Sequence, residues 1–142
     1  MKPTRRKVRE AALQILFQLD VNPTLDVELA IEGFKACFEA PSEWDEFSDR
    51  LVRGVWTDRV AIDEWIKRTA ENWKPERMPV VDRNILRLGV YELWRCDEIP
   101  ATVSINEMVE LAKVYGAENS PAFVNGILDR LRPSLVTPQK AP

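Results

Sequence analysis

The chain contains no histidine and only two cysteines, Cys37 and Cys96. Without histidine it lacks the commonest general base and the commonest metal ligand. Two isolated cysteines with no CxxC spacing cannot complete a zinc site, so no metal and no cofactor is expected. They read as reduced core thiols of a cytoplasmic protein. Glycine is scarce and scattered, at Gly33, Gly54, Gly89, Gly116 and Gly126, so no glycine-rich loop cradles a phosphate chain. No apolar run is long enough to span a bilayer, and no membrane partner is expected. The N-terminus, MKPTRRKVREAALQIL, is basic but has neither the continuous apolar stretch nor the small-residue cleavage site of a signal peptide. Strand-like alternation of any length is missing, as are tandem repeats. The carboxylate pairs read as structural: Asp45-Glu46 as acids favoured at a helix start, Asp63-Glu64 as a solvated face. These absences point away from an enzyme.

What is present is a soluble globular composition, 45% hydrophobic and 30% charged over 142 residues. That length suits one domain or two small subdomains sharing a core. The net charge of −3 argues against general nucleic-acid binding, but its distribution is uneven. Lys2, Arg5, Arg6, Lys7 and Arg9 precede the first acid, Glu10, whereas the stretch from Asp20 to Asp49 is strongly acidic. A basic end on an acidic body suggests a confined anion site.

The stretch Val80–Arg95, VVDRNILRLGVYELWR, is the centre of the pattern. Its apolar residues cover most of a helix circumference, which predicts a helix buried on several sides. Gly89 there is tolerable if another element crosses closely. Ahead of it, Thr4 to Leu19 predicts a helix with Val8, Ala11, Ala12, Ile15, Leu16 and Leu19 on the buried face. With Val8 at zero, Phe17 falls at about 180°, with Leu13 beside it and Arg6 and Arg9 continuing that side. This predicts a second surface, with arginines at one end and an apolar pair at the other. Cations at a helix N-terminus oppose the macrodipole, so an anionic partner is one reason for them. A helix capped by Thr24 follows, then one capped by Ser42 and one carrying Ile62, Trp65, Ile66, Ala70 and Trp73. Lys74 to Pro79 is the clearest linker. After the central helix, Ser104-Ile105-Asn106-Glu107 fits a capping box, although the helix could begin a turn earlier. Gly116 suits a left-handed C-terminal cap. Ser120-Pro121 restarts a helix that Arg132-Pro133 ends, leaving a frayed tail. Phe123 lies at the edge of that last helix's apolar stripe, with Asn119 one turn before it.

Three motifs in order carry a family resemblance. The segment Ile99 to Leu131 contains SINEMVELAKVYG followed by FVNGILD; Tyr91-Glu92-Leu93 stands in the centre; Arg5-Arg6-Lys7-Val8-Arg9-Glu10 with Gln14, Leu16 and Phe17 opens the chain. Together they resemble the NusB family of bacterial transcription antitermination factors. The match is good over residues 2–20 and 76–132, and over 21–75 it is one of helical pattern only. The resemblance implies an all-α, NusB-like bundle of about seven helices, a single RNA-binding domain over 1–142. Its subdomains would span about 4–56 and 57–132, with a tail at 133–142. It implies a non-enzymatic factor that pairs with the small-subunit ribosomal protein acting as NusE. The pair would bind single-stranded boxA RNA of ribosomal RNA leaders and join the RNA polymerase antitermination complex. By position, the RNA contacts fall on Lys2, Arg5, Arg6, Arg9, Arg83, Asn119 and Phe123. Asn119 replaces the usual aspartate and turns a pure acceptor into a donor and acceptor. The partner-protein surface falls on Leu13, Phe17, Glu76 and Asp82, with Arg83 near enough for either surface. The competing expectation is a helical adaptor or homodimer in which Leu13 and Phe17 meet a second copy. The methyltransferase-linked form of this domain is not expected, since ten residues follow Arg132.

Overall fold

The computed structural model describes residues 5–37, 46–69 and 74–137. Among these residues the chain is all-α, as expected. Its elements are α1 (Arg5–Val21), α2 (Val27–Cys37), α3 (Glu46–Thr57), α4 (Arg59–Thr69), a single 3₁₀ turn (Pro75–Arg77), α5 (Val80–Arg95), α6 (Ala101–Tyr115) and α7 (Ser120–Leu135). Lys2, the proposed Ser42 cap, Ala70 and Trp73 lie outside the described residues.

Helix α5 is central because its sequence leaves no solvent face. It packs on α1, α3, α4, α6 and α7. Ile85, Leu86, Leu88, Val90 and Leu93 are all fully buried. Side chains of α6 and α7 press directly on Gly89: a Cβ there would stand 2.6 Å from a methyl of Leu128 and 3.1 Å from Met108. The expected close crossing is therefore made by side chains seated against the glycine.

Most polar residues of α5 are buried or half-buried with it, and several of them are answered by side chains of other helices. Near its C-terminal end, Arg9 of α1 donates two hydrogen bonds to Glu92, at 2.7 and 2.8 Å, and the Ser104 hydroxyl of α6 donates a third at 2.8 Å. Near its N-terminal end, Arg83 and Asn84 donate to Asp20 of α1 at 2.7 and 2.9 Å. Arg87 forks onto Asp63 of α4 at 2.9 and 2.8 Å. Asp63 is thus the half-buried partner of a buried arginine, which corrects its reading as a solvated face. Buried charges persist only when paired and hydrogen-bonded, and here the pairs join α5 to α1, α4 and α6.

Several local expectations need correction. Asp26, not Thr24, caps α2, accepting the Leu29 N–H at 3.3 Å, while the Thr24 hydroxyl donates to Asn22. Helix α6 starts at Ala101 after Pro100, so Ser104 is interior and its hydroxyl serves Glu92 rather than a cap. Gly116 is extended, with φ −95° and ψ −173°, and its lack of a side chain serves packing. A Cβ there would lie 2.6 Å from that of Ser120. Asn119 takes the N-cap place of α7, and Ser120 instead donates to Asp82 at 2.9 Å. Helix α7 continues through Pro133, which removes one donor on the exposed side, because Leu135 gains a buried seat. Cys96 is buried as expected, but Cys37 is exposed.

Glu92→Ala would strand the Arg9 guanidinium in the core. The expected loss is about 3–5 kcal/mol, read as a lower urea midpoint. A variant as stable as the parent would show the pair to be dispensable. Asp20 gives a pH test. Burial pushes its carboxyl up, but hydrogen bonds from Arg83 and Asn84 and the charge of Arg87 outweigh this and hold it below its ordinary value. A depressed folded pKa contributes stability that is present above the ordinary carboxylate range. That stability is lost as pH falls through the folded value. Asp20→Asn should therefore be less stable than the parent at neutral pH and lose less stability between there and about pH 3. Parallel acid-loss curves in urea titrations would contradict this.

Candidate nucleic-acid interface

The three arginines of α1 have three different environments. Arg5 stacks its guanidinium 3.9 Å above the Phe47 ring of α3. Arg6 is 54% exposed and forks onto Glu107 of α6, Nε to Oε2 at 2.9 Å and Nη2 to Oε1 at 3.1 Å. Arg9 is 3% exposed and committed to Glu92. Arg9 is therefore corrected from a phosphate contact to a structural cation. Each of these three arginines is offset against the helix dipole by a π face or a carboxylate.

Leu13 is corrected for the same geometric reason. It is buried in the core and no part of an exposed pair. With Val8 at zero, the buried residues of α1 run from Ile15 at about 340° through Leu19, Ala12, Leu16 and Arg9 to Leu13 at about 140°. Neighbours α2, α3 and α5 cover that wide arc. Arg6 and Phe17, at about 160° and 180°, stand just past its edge and are exposed.

Arg5 and Arg6 open onto a cleft of about 680 Å³ between α1 and the start of α6, with Glu98, Pro100, Val103 and Glu107 on its walls. The Arg6 hydrogen bonds, and then its charge, hold the Glu107 carboxyl below the ordinary range. The same pairing raises Arg6. Glu98 is paired with Arg50 of α3. Along α6, Tyr115 donates to Glu10 of α1 at 3.3 Å, and burial, then Glu10, pushes its hydroxyl up. Past it, Asn119 is exposed and Phe123 is half-buried against the core. Glu107 to Tyr115 spans eight residues, about 12 Å of helix. The arginine cleft and the start of α7 are thus two ends of one α6 edge.

The opposite end of α1 carries the other predicted residues. Phe17 is 40% exposed. Glu76 is exposed and lines a cleft of about 510 Å³ with Asp20, Val60, Lys67 and Arg83. Arg83 donates to Asp20 and to the Pro75 carbonyl at 2.9 Å, so it belongs to this end and not with Arg5 and Arg6. Asp82 is only 7% exposed and accepts from Ser120. Its charge joins α5 to α7, which corrects its reading as a surface residue. Sequence reasoning missed Val21 and Val60, both exposed, the second on the cleft wall. It also missed Glu107, Glu98 and Glu92, whose arginine partners lie far away in sequence. A glutamate inside a helix apolar all round was the one available signal for Glu92. Among the described residues no cluster of His, Cys, Asp and Glu could hold a metal, and no helix is long and apolar enough to cross a membrane.

Comparison with known proteins gives the family of the chain. The NusB family model matches residues 6–133. A transcription antitermination protein NusB from Syntrophus aciditrophicus is 46% identical over 127 residues, covering 89% of this chain and 78% of the relative. Its counterpart from Bacillus cereus is 41% identical over 131 residues, covering 92% of this chain and 98% of the relative. The solved structure of T. maritima NusB superposes with a TM-score of 0.88 at 40% identity, covering 96% of each chain. A crystal structure of antitermination factors NusB and NusE in complex with dsRNA contains a chain with the same fold, TM-score 0.82 at 24% identity, covering 92% of this chain and 96% of that one. With the family model spanning nearly all of the described helices and both relatives matched over more than three quarters of their length, the chain belongs to the NusB family.

Proposed function

We propose that this chain is a cytoplasmic, non-enzymatic transcription antitermination factor. It binds single-stranded, boxA-type RNA together with the ribosomal protein acting as NusE and enters the RNA polymerase antitermination complex. The observation that carries this reading is the placement of two unlike surfaces at the two ends of α1 in a NusB-family chain. Arg5 and Arg6 front a cleft at one end, and Phe17 stands exposed at the other. Eleven residues separate Arg6 from Phe17, about 16 Å of helix. That is far enough for two partners to bind without collision. Residues 1–142 serve as one domain in this reading, with helices before about 56 and from 57 to 132 as its subdomains.

The chemistry divides accordingly. Guanidinium groups suit phosphates, with bidentate, charge-assisted hydrogen bonds. A half-buried aromatic edge such as Phe123 suits an unpaired base. Asn119, exposed at the first turn of α7, offers both a donor and an acceptor beside it. Lys2 would extend the basic end. Phe17, with Glu76 on the neighbouring cleft, suits a protein contact.

Three substitutions separate these roles. Arg6→Ala should weaken all single-stranded RNAs alike and lower the magnitude of the salt slope by up to about 0.7. Phe123→Ala should cost about 1–3 kcal/mol of RNA binding and leave the slope nearly unchanged. Filter binding and melting temperature on the same samples check both, with duplex RNA as the comparison. Full binding by a folded Phe123→Ala protein removes that residue from the site. Phe17→Asp should keep the fold and weaken NusE binding by about 2–5 kcal/mol in calorimetry. Unchanged NusE affinity, or a change in oligomeric state instead, favours the adaptor or homodimer.

A further inference from the structure

Two of the three arginines that line the cleft are already held by carboxylates of the chain itself. Of its three α1 arginines, Arg9 is held by the buried Glu92 and Arg6 by Glu107. Glu98, on the same wall, is held by Arg50. An incoming phosphate therefore meets acids already bonded to the groups it needs. These pairs differ in how easily they open. The Arg9–Glu92 pair is inside the core, where breaking it strands a charge. The Arg6–Glu107 pair is at the surface, with side chains 54% and 21% exposed. Exposed ion pairs are weak, because water stabilises both partners once they part. Glu107 also covers the Nε–Nη2 edge of Arg6, one of the two-donor edges a phosphate would take in a forked contact.

We infer that Glu107 is an internal competitor for RNA phosphate: its carboxylate occupies Arg6 in the unbound protein and is exchanged for a phosphate oxygen pair when RNA enters. This rests on the proposed RNA site and names the residue that sets its affinity and part of its salt dependence. The exchange trades one forked, charge-assisted contact for another, so Arg6 supplies less net affinity than an unengaged arginine would. The released carboxylate stays on the cleft wall and cancels part of the charge that Arg6 neutralises on the RNA. A binding step of this kind rejects weakly held anions, since only a ligand with further contacts offsets the loss of Glu107. The half-buried ring of Phe123 on α7, the helix that follows the far end of α6, is a source of such contacts.

The test uses Glu107→Gln, which keeps the side-chain shape and removes the charge. The probe is a short single-stranded boxA-type RNA, measured with the full chain alone and with NusE. Glu107→Gln should bind about 2–5-fold tighter than the parent. Its salt slope should be steeper by up to about 0.7. The gain should vanish in an Arg6→Ala background. Glu110→Gln, one turn along α6, is the control for general charge removal and should gain less. Unchanged or weaker binding by folded Glu107→Gln overturns the inference, and the weaker result would make Glu107 a positioning residue for Arg6. An equal gain in the Arg6→Ala background, or from Glu110→Gln, overturns it as well. Should Glu107→Gln melt early, the parent decides by NMR. The side-chain carboxyl carbon of Glu107 should shift toward that of a solvated glutamate on RNA addition, and a carbon that does not move overturns the inference. A parent that binds no RNA with or without NusE overturns the RNA reading itself, whereas binding without the Glu107 effects overturns only this step.

Discussion

The fold depends most on a carboxylate buried where three helices meet. Glu92 sits on α5 with no exposure and takes two hydrogen bonds from Arg9 of α1 and one from Ser104 of α6. An ionised carboxylate in such a place is stable only when its lone pairs are filled, so the geometry of all three helices is fixed together. Apolar contacts alone permit sliding, because one methyl packs nearly as well as another. A forked guanidinium–carboxylate pair does not, since its donors must meet both oxygens at once. The pair therefore acts as a register pin for α1 on α5. The Asp20 cluster with Arg83, Asn84 and Arg87 is a second pin at the other end of the same two helices.

Two pins on one helix make α1 a rigid beam, and this has a functional consequence. Arg6 lies one turn before the Arg9 pin, and Phe17 one turn before the Asp20 pin. The exposed groups are thus carried at fixed positions by neighbours that are themselves buried or largely so. Preorganisation of this kind lowers the entropy lost on binding, because the backbone under each contact is already ordered. It also separates two kinds of arginine that look alike in sequence. Arg9 and Arg87 hold the protein together from inside, while Arg5 and Arg6 stand at its edge, Arg6 in a surface pair that water can open.

The architecture was legible in the sequence because it follows from periodicity. A helix apolar all round had to be central, and α5 matches its expected bounds of Val80–Arg95. What periodicity could not give was the width of the buried arc on α1. A single stripe centred on Val8 put Arg9 and Leu13 outside, but a helix wrapped on three sides buries both. Capping motifs misled where a tertiary partner outbid the local one. Ser104 and Ser120 both fit helix starts, yet their hydroxyls serve Glu92 and Asp82 on α5. Local rules weigh one helix, while a buried acid elsewhere offers the hydroxyl a stronger, charge-assisted bond.

The same competition explains why the candidate site was only partly legible. Basic residues are conspicuous in a chain of net charge −3, but the acids that answer them are not. Glu107 lies 101 residues from Arg6, and Glu92 lies 83 from Arg9. Counting arginines therefore overstates the positive potential of the cleft, since a carboxylate at bonding distance cancels most of a cation's field beyond a few ångströms. The potential that a nucleic acid meets is set by which of these pairs can part. Burial decides that: the core pair is locked by desolvation, and the surface pair is loosened by water. An acidic protein can in this way keep a specific anion site, with its arginines protected from adventitious anions by carboxylates of its own.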